Sequence, residues 1–115
     1  MTYIKINDTL YPAFISGRVS DRDWDNRESK AITLEMSYAD AMALFTDDLD
    51  WAIVYHADGY VGENGETVTP EPEVYDNSEY SVAGPVTDNR NGTVTVKMGK
   101  ITDSEALAEL LGVLA

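Results

Sequence analysis

The amino-acid sequence predicts a single α+β domain over residues 1–115, with a mostly antiparallel sheet of about six to seven strands, one internal helix and a C-terminal amphipathic helix. Three observations support this prediction. The chain has 115 residues, 43% of them hydrophobic, which suits one domain with its own packed core. Apolar residues alternate along several short segments, as they do in half-buried strands. Short polar turns join these segments, and hairpin-like connections favour antiparallel pairing.

Three strands are predicted in the first third of the chain. Residues 3–7 (YIKIN) alternate between apolar and polar side chains, and residues 30–37 (KAITLEMS) do the same. Between them, residues 10–20 (LYPAFISGRVS) form a longer predicted strand. Pro12 and Gly17 interrupt its pattern, and both residue types are typical of edge strands or bulges. We therefore expect an edge position or a bulge in this strand.

The internal helix is predicted to begin after Ser37. The Ser37 hydroxyl is placed to cap the helix, and Asp40 three residues later can complete a capping box. Tyr38, Met42 and Phe45 follow with the i, i+4, i+7 spacing of an apolar helix face. The sequence thus predicts one amphipathic helix between the third and fourth strands.

A strand and an acidic flap are predicted next. Residues 51–57 (WAIVYHA) form the strand, and residues 58–73 are rich in glycine, proline and acid. Asn64-Gly65 within them is the strongest two-residue hairpin signal in the chain. We interpret residues 58–73 as an acidic flap or hairpin.

The C-terminal part predicts a last hairpin and a helix. Residues 78–88 and 93–100 read as strands around the turn Asn-Arg-Asn-Gly. Thr102 and Glu105 have the spacing of a capping box, which marks the start of the helix. Four leucines form its apolar stripe, and we expect this face to cover a sheet or a partner chain: Leu107, Leu110, Leu111 and Leu114.

The charge of the chain is strongly negative and unevenly distributed. The net charge is −13, and residues 31–89 contain thirteen acids and no Lys or Arg. Such a field repels nucleic acid and anionic membranes and attracts basic partners, although acids on a solvent face also simply improve solubility. The candidate protein-binding acids are Asp47, Asp48, Asp50, Glu63, Glu66, Glu71, Glu73, Asp76 and Glu79.

No enzyme is predicted. The chain has no cysteine and one histidine, His56, and no nucleophile elbow accompanies it. Phosphate-binding glycine loops are missing as well, and nothing in the spacing of the acids selects a catalytic carboxylate pair. We predict no catalytic residue, no cofactor and no membrane anchor. The N-terminus does not resemble a signal peptide, so we expect synthesis and folding in a cytoplasm.

A charged turn resembles the start of a calcium loop. Asp21, Asp23 and Asp25 occupy the first three ligand positions of such a loop. The twelfth position should be a glutamate and is instead Ile32, which reads as a core residue of the next strand. Two arginines lie among the acids and compete as counter-ions. We therefore predict a turn with Asp–Arg pairs and with Trp24 packed over its base, and keep calcium as the weaker alternative.

Two segments resemble small proteins encoded in the tail and lysis gene region of prophages of Gram-positive bacteria. They are ISGRVSDRDWDNRESKAITLEMSYADAM, residues 15–42, and YDNSEYSVAGPVTDNRNGTVTVKMGK, residues 75–100. The resemblance implies a role in virion structure, in a tail or baseplate, or an accessory role that acts on the host. It also implies synthesis in a bacterial host cytoplasm, with the virion as a further destination. It carries no functional residue onto this chain.

Two functions follow as hypotheses. The first is a non-enzymatic phage structural or assembly protein that contacts itself, as a homo-oligomer, or another phage component. The second is an acidic inhibitor that imitates DNA and binds a basic host nucleic-acid-binding protein, with the nine acids in place of phosphates. The second hypothesis requires those acids to line one ridge.

Overall fold

The structure is a computed structural model, and it describes residues 1–113. Alternating apolar residues and short turns produce nine strands and two helices in this part of the chain, together with a short 3-10 turn at Arg22–Trp24. The strands are β1 (Thr2–Ile6), β2 (Thr9–Asp21), β3 (Arg27–Glu35), β4 (Ala52–Tyr55), β5 (Tyr60–Val61), β6 (Thr67–Val68), β7 (Glu73–Asp76), β8 (Val82–Asp88) and β9 (Thr93–Gly99). The helices are α1 (Tyr38–Leu44) and α2 (Asp103–Val113).

Seven of the strands form one antiparallel sheet in the order β7-β4-β1-β2-β3-β9-β8. The remaining two, β5 and β6, pair only with each other. They form a small hairpin within the predicted flap, and its turn contains Gly65 at a φ of 74°. The predicted α+β class and the strand number are confirmed.

The position of β2 in the sheet differs from the predicted one. It lies inside the sheet between β1 and β3, so the expected edge position is wrong. Pro12 is tolerated because it pairs with Tyr3 of β1, while the ladder to β3 begins only at Ala13. At Pro12, β1 is therefore the only neighbour of β2, and the N–H that proline lacks is not needed for a bond to β3. The expected bulge is present further on, as a register shift between Arg18 and Asp21.

The core lies on one face of the sheet. Alternate residues of the central strands point to this face, where α1 packs against β8 and β9. Trp51 is buried there, and its indole N–H donates to the carbonyl of Tyr80 over 3.1 Å. The buried core residues are Ile4, Ile6, Ile32, Leu34, Ala41, Phe45, Trp51, Tyr80, Val94, Val96 and Met98.

Both helices begin at the predicted caps. The Ser37 hydroxyl accepts the N–H of Asp40 over 3.1 Å at the start of α1. At the start of α2, the Thr102 N–H donates to Glu105 Oε1 over 2.8 Å, and the Glu105 N–H donates to Thr102 Oγ1 over 3.2 Å. The capping box of α2 is therefore complete. Neither described helix has the length and apolar character to cross a membrane.

Candidate protein interface

The aspartate-rich turn that resembles the start of a calcium loop is held by a buried ion pair. The Asp21 side chain is fully buried, and its Oδ2 lies 2.8 Å from Lys97 Nζ and accepts the Ser29 hydroxyl over 3.2 Å. Its Oδ1 accepts the N–H of Asp23 over 3.1 Å. The hydrogen bond from Lys97 is the main reason why the pKa of Asp21 is lowered, and it outweighs the opposing effect of burial. This carboxylate is therefore occupied by protein partners.

The three aspartates of the turn do not converge. Asp25 ends the 3-10 turn with a left-handed backbone, at a φ of 55°, and its carboxylate lies 3.8 Å from Arg27. Among residues 1–113, no group of three or more histidine, aspartate or glutamate side chains is arranged to hold a metal ion. The geometry is that of a charged turn with an Asp–Arg pair.

Trp24 packs on a flat surface that two glycines provide. A Cβ at Gly84 would lie 2.6 Å from the Trp24 ring, and a Cβ at Gly99 would lie 2.8 Å from it. The guanidinium of Arg27 lies 4.6 Å from the centre of the ring, at cation–π distance. The tryptophan thus joins the β2–β3 turn to β8 and β9.

Arg27 also holds the start of α2. Its side chain is buried, and its two terminal nitrogens donate to the two carboxylate oxygens of Glu105 over 2.8 and 2.9 Å. One of them also donates to the Lys100 carbonyl over 2.9 Å. These bonds and the capping bonds lower the pKa of Glu105 to about 2, and the hydrogen bond with Glu105 raises that of Arg27. One bidentate pair therefore anchors α2 to the end of the sheet.

We predict from the Arg27–Glu105 pair that α2 detaches from the end of the sheet in acid. The pKa of Glu105 is lowered in the folded chain from 4.5 to about 2, so its stabilising effect is complete above about 4.5 and disappears as the pH falls through 2. We expect the α2 carbon chemical shifts to lose their helical values over this interval in an NMR titration. In the Arg27→Met variant the titration should move up towards 4.5. Titration of the wild-type Glu105 carboxyl near 4.5 would contradict the anchoring role.

The apolar face of α2 is exposed to solvent. Leu107, Leu110 and Leu111, which we call the leucine face, are 56%, 63% and 55% exposed. The expectation that this face covers the sheet is wrong, because α1, Phe45 and Trp51 already occupy the core face. The alternative of a partner chain stays a prediction. Leu114, the fourth leucine of the predicted stripe, lies outside the described residues.

A groove is present at the opposite end of β3 from α2. It has a volume of about 620 Å³ and lies between the start of β9 and the middle of β2. Its lining is mainly apolar and includes Tyr11, Pro12, Phe14 and Leu34, with Glu35 among the polar residues. Phe14 is 74% exposed, although it belongs to a central strand. The chain thus has an exposed apolar helix face at one end of the sheet and an apolar groove at the other.

The nine predicted protein-binding acids lie on several elements. Asp47, Asp48 and Asp50 follow α1, Glu63 and Glu66 belong to the β5–β6 hairpin, Glu71, Glu73 and Asp76 lie on or just before β7, and Glu79 lies between β7 and β8. Asp50 and Asp76 come together in one shallow depression because β4 and β7 pair.

Several of these carboxylates also have partners inside the chain. The Asp47 carboxylate accepts the N–H of Ala83 over 2.8 Å, and that of Glu79 lies 3.6 Å from Lys100 Nζ. The Asp76 carboxylate accepts both the N–H and the hydroxyl of the serine two residues later. These carboxylates therefore stabilise the segments next to β7 and β8 in addition to giving them negative charge.

A network around Tyr80 was not predicted from the sequence. The Tyr80 hydroxyl donates to Glu28 Oε2 over 2.6 Å, and Lys100 Nζ lies 2.8 Å from the same oxygen. Lys30 and Lys100 lie 4.6 and 5.1 Å from the centre of the Tyr80 ring. Burial, followed by the bond to Glu28, raises the pKa of Tyr80 to about 12. The network closes the core beside β8, and its members are too far apart in the sequence to be found by spacing.

No protein-family model, no curated protein and no solved structure matches this chain. Its functional interpretation therefore depends on the surfaces described above: the leucine face, the groove and the acidic edge at β7.

Proposed function

We propose that this chain is a non-enzymatic structural or assembly protein of a phage or prophage particle, and that it acts through contacts with other protein subunits. The observation that carries the proposal is the exposed leucine face of α2. Contiguous apolar side chains exposed on a soluble domain mark an interaction surface. The resemblance of residues 15–42 and 75–100 to prophage proteins is the reason for assigning the partner to a tail or baseplate.

The short length of α2 is a reason to expect that the helix packs against a partner. Isolated helices of fewer than about 12–15 residues are marginal in water, and the described part of α2 has eleven residues. Its capping box and the ion pair with Arg27 fix its first turn only. Packing of the leucine face against another subunit would supply the apolar burial that the rest of the helix lacks.

Another copy of the chain fits as that subunit. The groove beside Phe14 and the leucine face are both apolar, and they lie at opposite ends of β3. A contact between two different surfaces is heterologous, so it repeats from copy to copy and either closes into a ring or continues as a fibre. Tail and baseplate components assemble by repeated contacts of this kind.

The first test compares two variants that add the same charge to opposite sides of α2. Leu110→Glu places a carboxylate in the leucine face, whereas Gly112→Glu places one where a Cβ meets nothing within 4 Å. We expect the wild type and Gly112→Glu to form closed oligomers in size-exclusion chromatography with light scattering, and Leu110→Glu to be monomeric. A wild type that stays monomeric at high concentration would contradict self-assembly.

A mixing experiment tests the pairing of the two surfaces. Phe14→Glu should block the groove and leave the leucine face intact, while Leu110→Glu does the reverse. Each variant alone should be monomeric, and a mixture should stop at the heterodimer because only one groove and one leucine face remain compatible. Homodimers of either variant would exclude the head-to-tail contact. The virion assignment fails separately if mass spectrometry of purified particles does not detect the chain.

DNA imitation is the second candidate, and the negative charge between residues 31 and 89 favours it. The nine acids lie on a loop, a separate hairpin and an edge strand rather than along one element. Duplex DNA presents a charge about every 1.7 Å along its axis, which requires a regular row. This candidate predicts that the chain competes with duplex DNA for a basic host protein. It also predicts that binding of the chain to that protein weakens as the salt concentration rises.

A further inference from the structure

The outer side of β7 presents unpaired backbone groups. β7 is the last strand of the sheet, and in residues 1–113 only β4 pairs with it. The N–H of Asn77 donates to the Trp51 carbonyl over 2.9 Å, and the register places Asp76 opposite Ala52. Because hydrogen-bonded and non-hydrogen-bonded pairs alternate in an antiparallel ladder, the N–H and C=O of Asp76 and of Val74 point away from β4.

The two edges of the sheet differ in how they are protected. At the other edge, β8 contains Pro85, which has no N–H, and its register shifts between Ala83 and Val86. Prolines and bulges of this kind prevent the addition of another strand. Strand β7 has neither, and its Val74 and Tyr75 side chains are 59% and 54% exposed. The β7 edge is therefore open to a further strand.

The charge around β7 determines which strand can be added. Glu73 and Asp76 lie on β7 itself and Glu71 precedes it, and residues 31–89 contain no Lys or Arg. The nearby bases come from other strands: Lys5 lines the same depression as Asp76, and Lys100 lies 3.6 Å from Glu79. A second copy of β7 would bring two such sets of carboxylates into one short ladder, and like charges on neighbouring strands repel. An extended segment rich in lysine or arginine is instead attracted by these carboxylates.

We propose that the outer edge of β7 binds an extended basic segment of a partner protein by strand addition. The N–H and C=O groups of Val74 and Asp76 form the backbone hydrogen bonds, and the carboxylates of Glu73 and Asp76 select lysine or arginine side chains. Successive side chains of a strand point to opposite faces, so these two acids contact the added strand on both of its faces. This surface is separate from the leucine face and does not depend on the assembly function.

The probe is a short peptide in which pairs of lysines alternate with pairs of valines, so that both faces of the extended peptide carry lysine. It is titrated into the isotope-labelled protein and followed by NMR. We expect saturable shifts at the amides of Val74 and Asp76, together with slower hydrogen exchange of both. The same peptide with glutamate in place of lysine should not bind. Equal binding of the two peptides, or no binding of the lysine peptide at low salt, would overturn the proposal.

Val74→Pro separates strand addition from simple charge attraction. It removes one outward N–H and no bond to β4, and proline is accepted on the solvent side of an edge strand. The lysine peptide should bind about tenfold more weakly to this variant. Val74→Thr, which keeps the N–H and the branched side chain, is the matched control and should bind as the wild type does.

A second variant keeps the proposal testable if Val74→Pro disturbs the fold. Glu73→Lys reverses one charge on the strand, and the Glu73 carboxylate has a single side-chain partner in the described chain, the Tyr75 hydroxyl at 2.8 Å. This variant should lose affinity for the lysine peptide and gain affinity for the glutamate peptide. Undiminished binding of the lysine peptide to a folded Val74→Pro or Glu73→Lys variant would show that the peptide binds elsewhere on the acidic surface.

Discussion

Replacing Lys97 by methionine is expected to lower the melting temperature by about 10 °C. Methionine keeps most of the aliphatic length of lysine, but it removes the ammonium group that lies 2.8 Å from Asp21 Oδ2. The Asp21 carboxylate is completely buried, so the variant retains a charge inside the protein without its counter-ion. A buried charge that loses its partner is strongly destabilising because water cannot solvate it.

The same substitution should reverse the pH dependence of stability. In the wild type the pKa of Asp21 is lowered, so its contribution is complete above the unfolded pKa and is lost as the pH falls through the folded value. Without Lys97, burial is the largest remaining influence on the pKa of Asp21, and we expect it to raise that pKa against the hydrogen bonds from the Asp23 N–H and the Ser29 hydroxyl. The variant should therefore be most stable in acid and lose stability as the pH rises through that raised pKa.

Urea unfolding at a series of pH values measures both effects. Lys5→Met is the control, because Lys5 and its partner Asp8 are exposed and 3.7 Å apart, and such pairs contribute little to stability. Asp21→Asn combined with Lys97→Met removes both charges and should recover much of the loss. A Lys97→Met profile parallel to that of the wild type would contradict this prediction and show that the hydrogen bonds from Asp23 and Ser29 keep the pKa of Asp21 low without Lys97.

Local features of the fold can be predicted from the sequence because their signals lie a few residues apart. The caps at Ser37 and Thr102 depend on partners three residues away, and both form as the sequence indicates. A hairpin also forms around Asn64-Gly65, but its register closes with Gly62 opposite Glu66 and leaves three residues in the turn, whereas the sequence signal is for two. Alternation along the central strands also predicts which residues enter the core, since period two is a property of the strand itself.

Long-range partners cannot be predicted in this way. Asp21 pairs with Lys97 and Arg27 pairs with Glu105, across 76 and 78 residues of sequence. The alternating aspartates of the turn resemble the start of a calcium loop, and the neighbouring residues argue against that interpretation without identifying the partner of Asp21. Pairing of β3 with β9 brings the distant lysine to Asp21, and this pairing decides the role of the turn.

The candidate interface illustrates the same limit. The sequence predicts an apolar face on α2 but not its surroundings, because the sheet face that it could cover is covered by residues of α1 and the loop before β4. It also predicts a negative central segment without predicting where the acids meet. Asp50 and Asp76 lie together because β4 pairs with β7, whereas Glu63 and Glu66 belong to the separate β5–β6 hairpin.

Gly84→Ala is expected to destabilise the protein by about 1–3 kcal/mol through overpacking against Trp24. The added Cβ would lie 2.6 to 2.9 Å from three atoms of the indole ring, closer than real Cβ contacts allow. The backbone φ of Gly84 is not positive, so the strain comes from the ring and not from the backbone conformation. To make room, the ring must leave its position beside the Arg27 guanidinium, which lies 4.6 Å from its centre.

A double-mutant cycle identifies Trp24 as the cause. Trp24→Ala alone should destabilise the protein, since it removes a half-buried ring. In that background Gly84→Ala should cost little, which gives a coupling free energy of about 1–3 kcal/mol between the two sites. Gly17→Ala is the matched control, because a Cβ at Gly17 meets nothing within 4 Å. Additive effects of the two substitutions, measured by urea unfolding, would mean that Trp24 does not pack on Gly84, and the link from the β2–β3 turn to β8 would have to be abandoned.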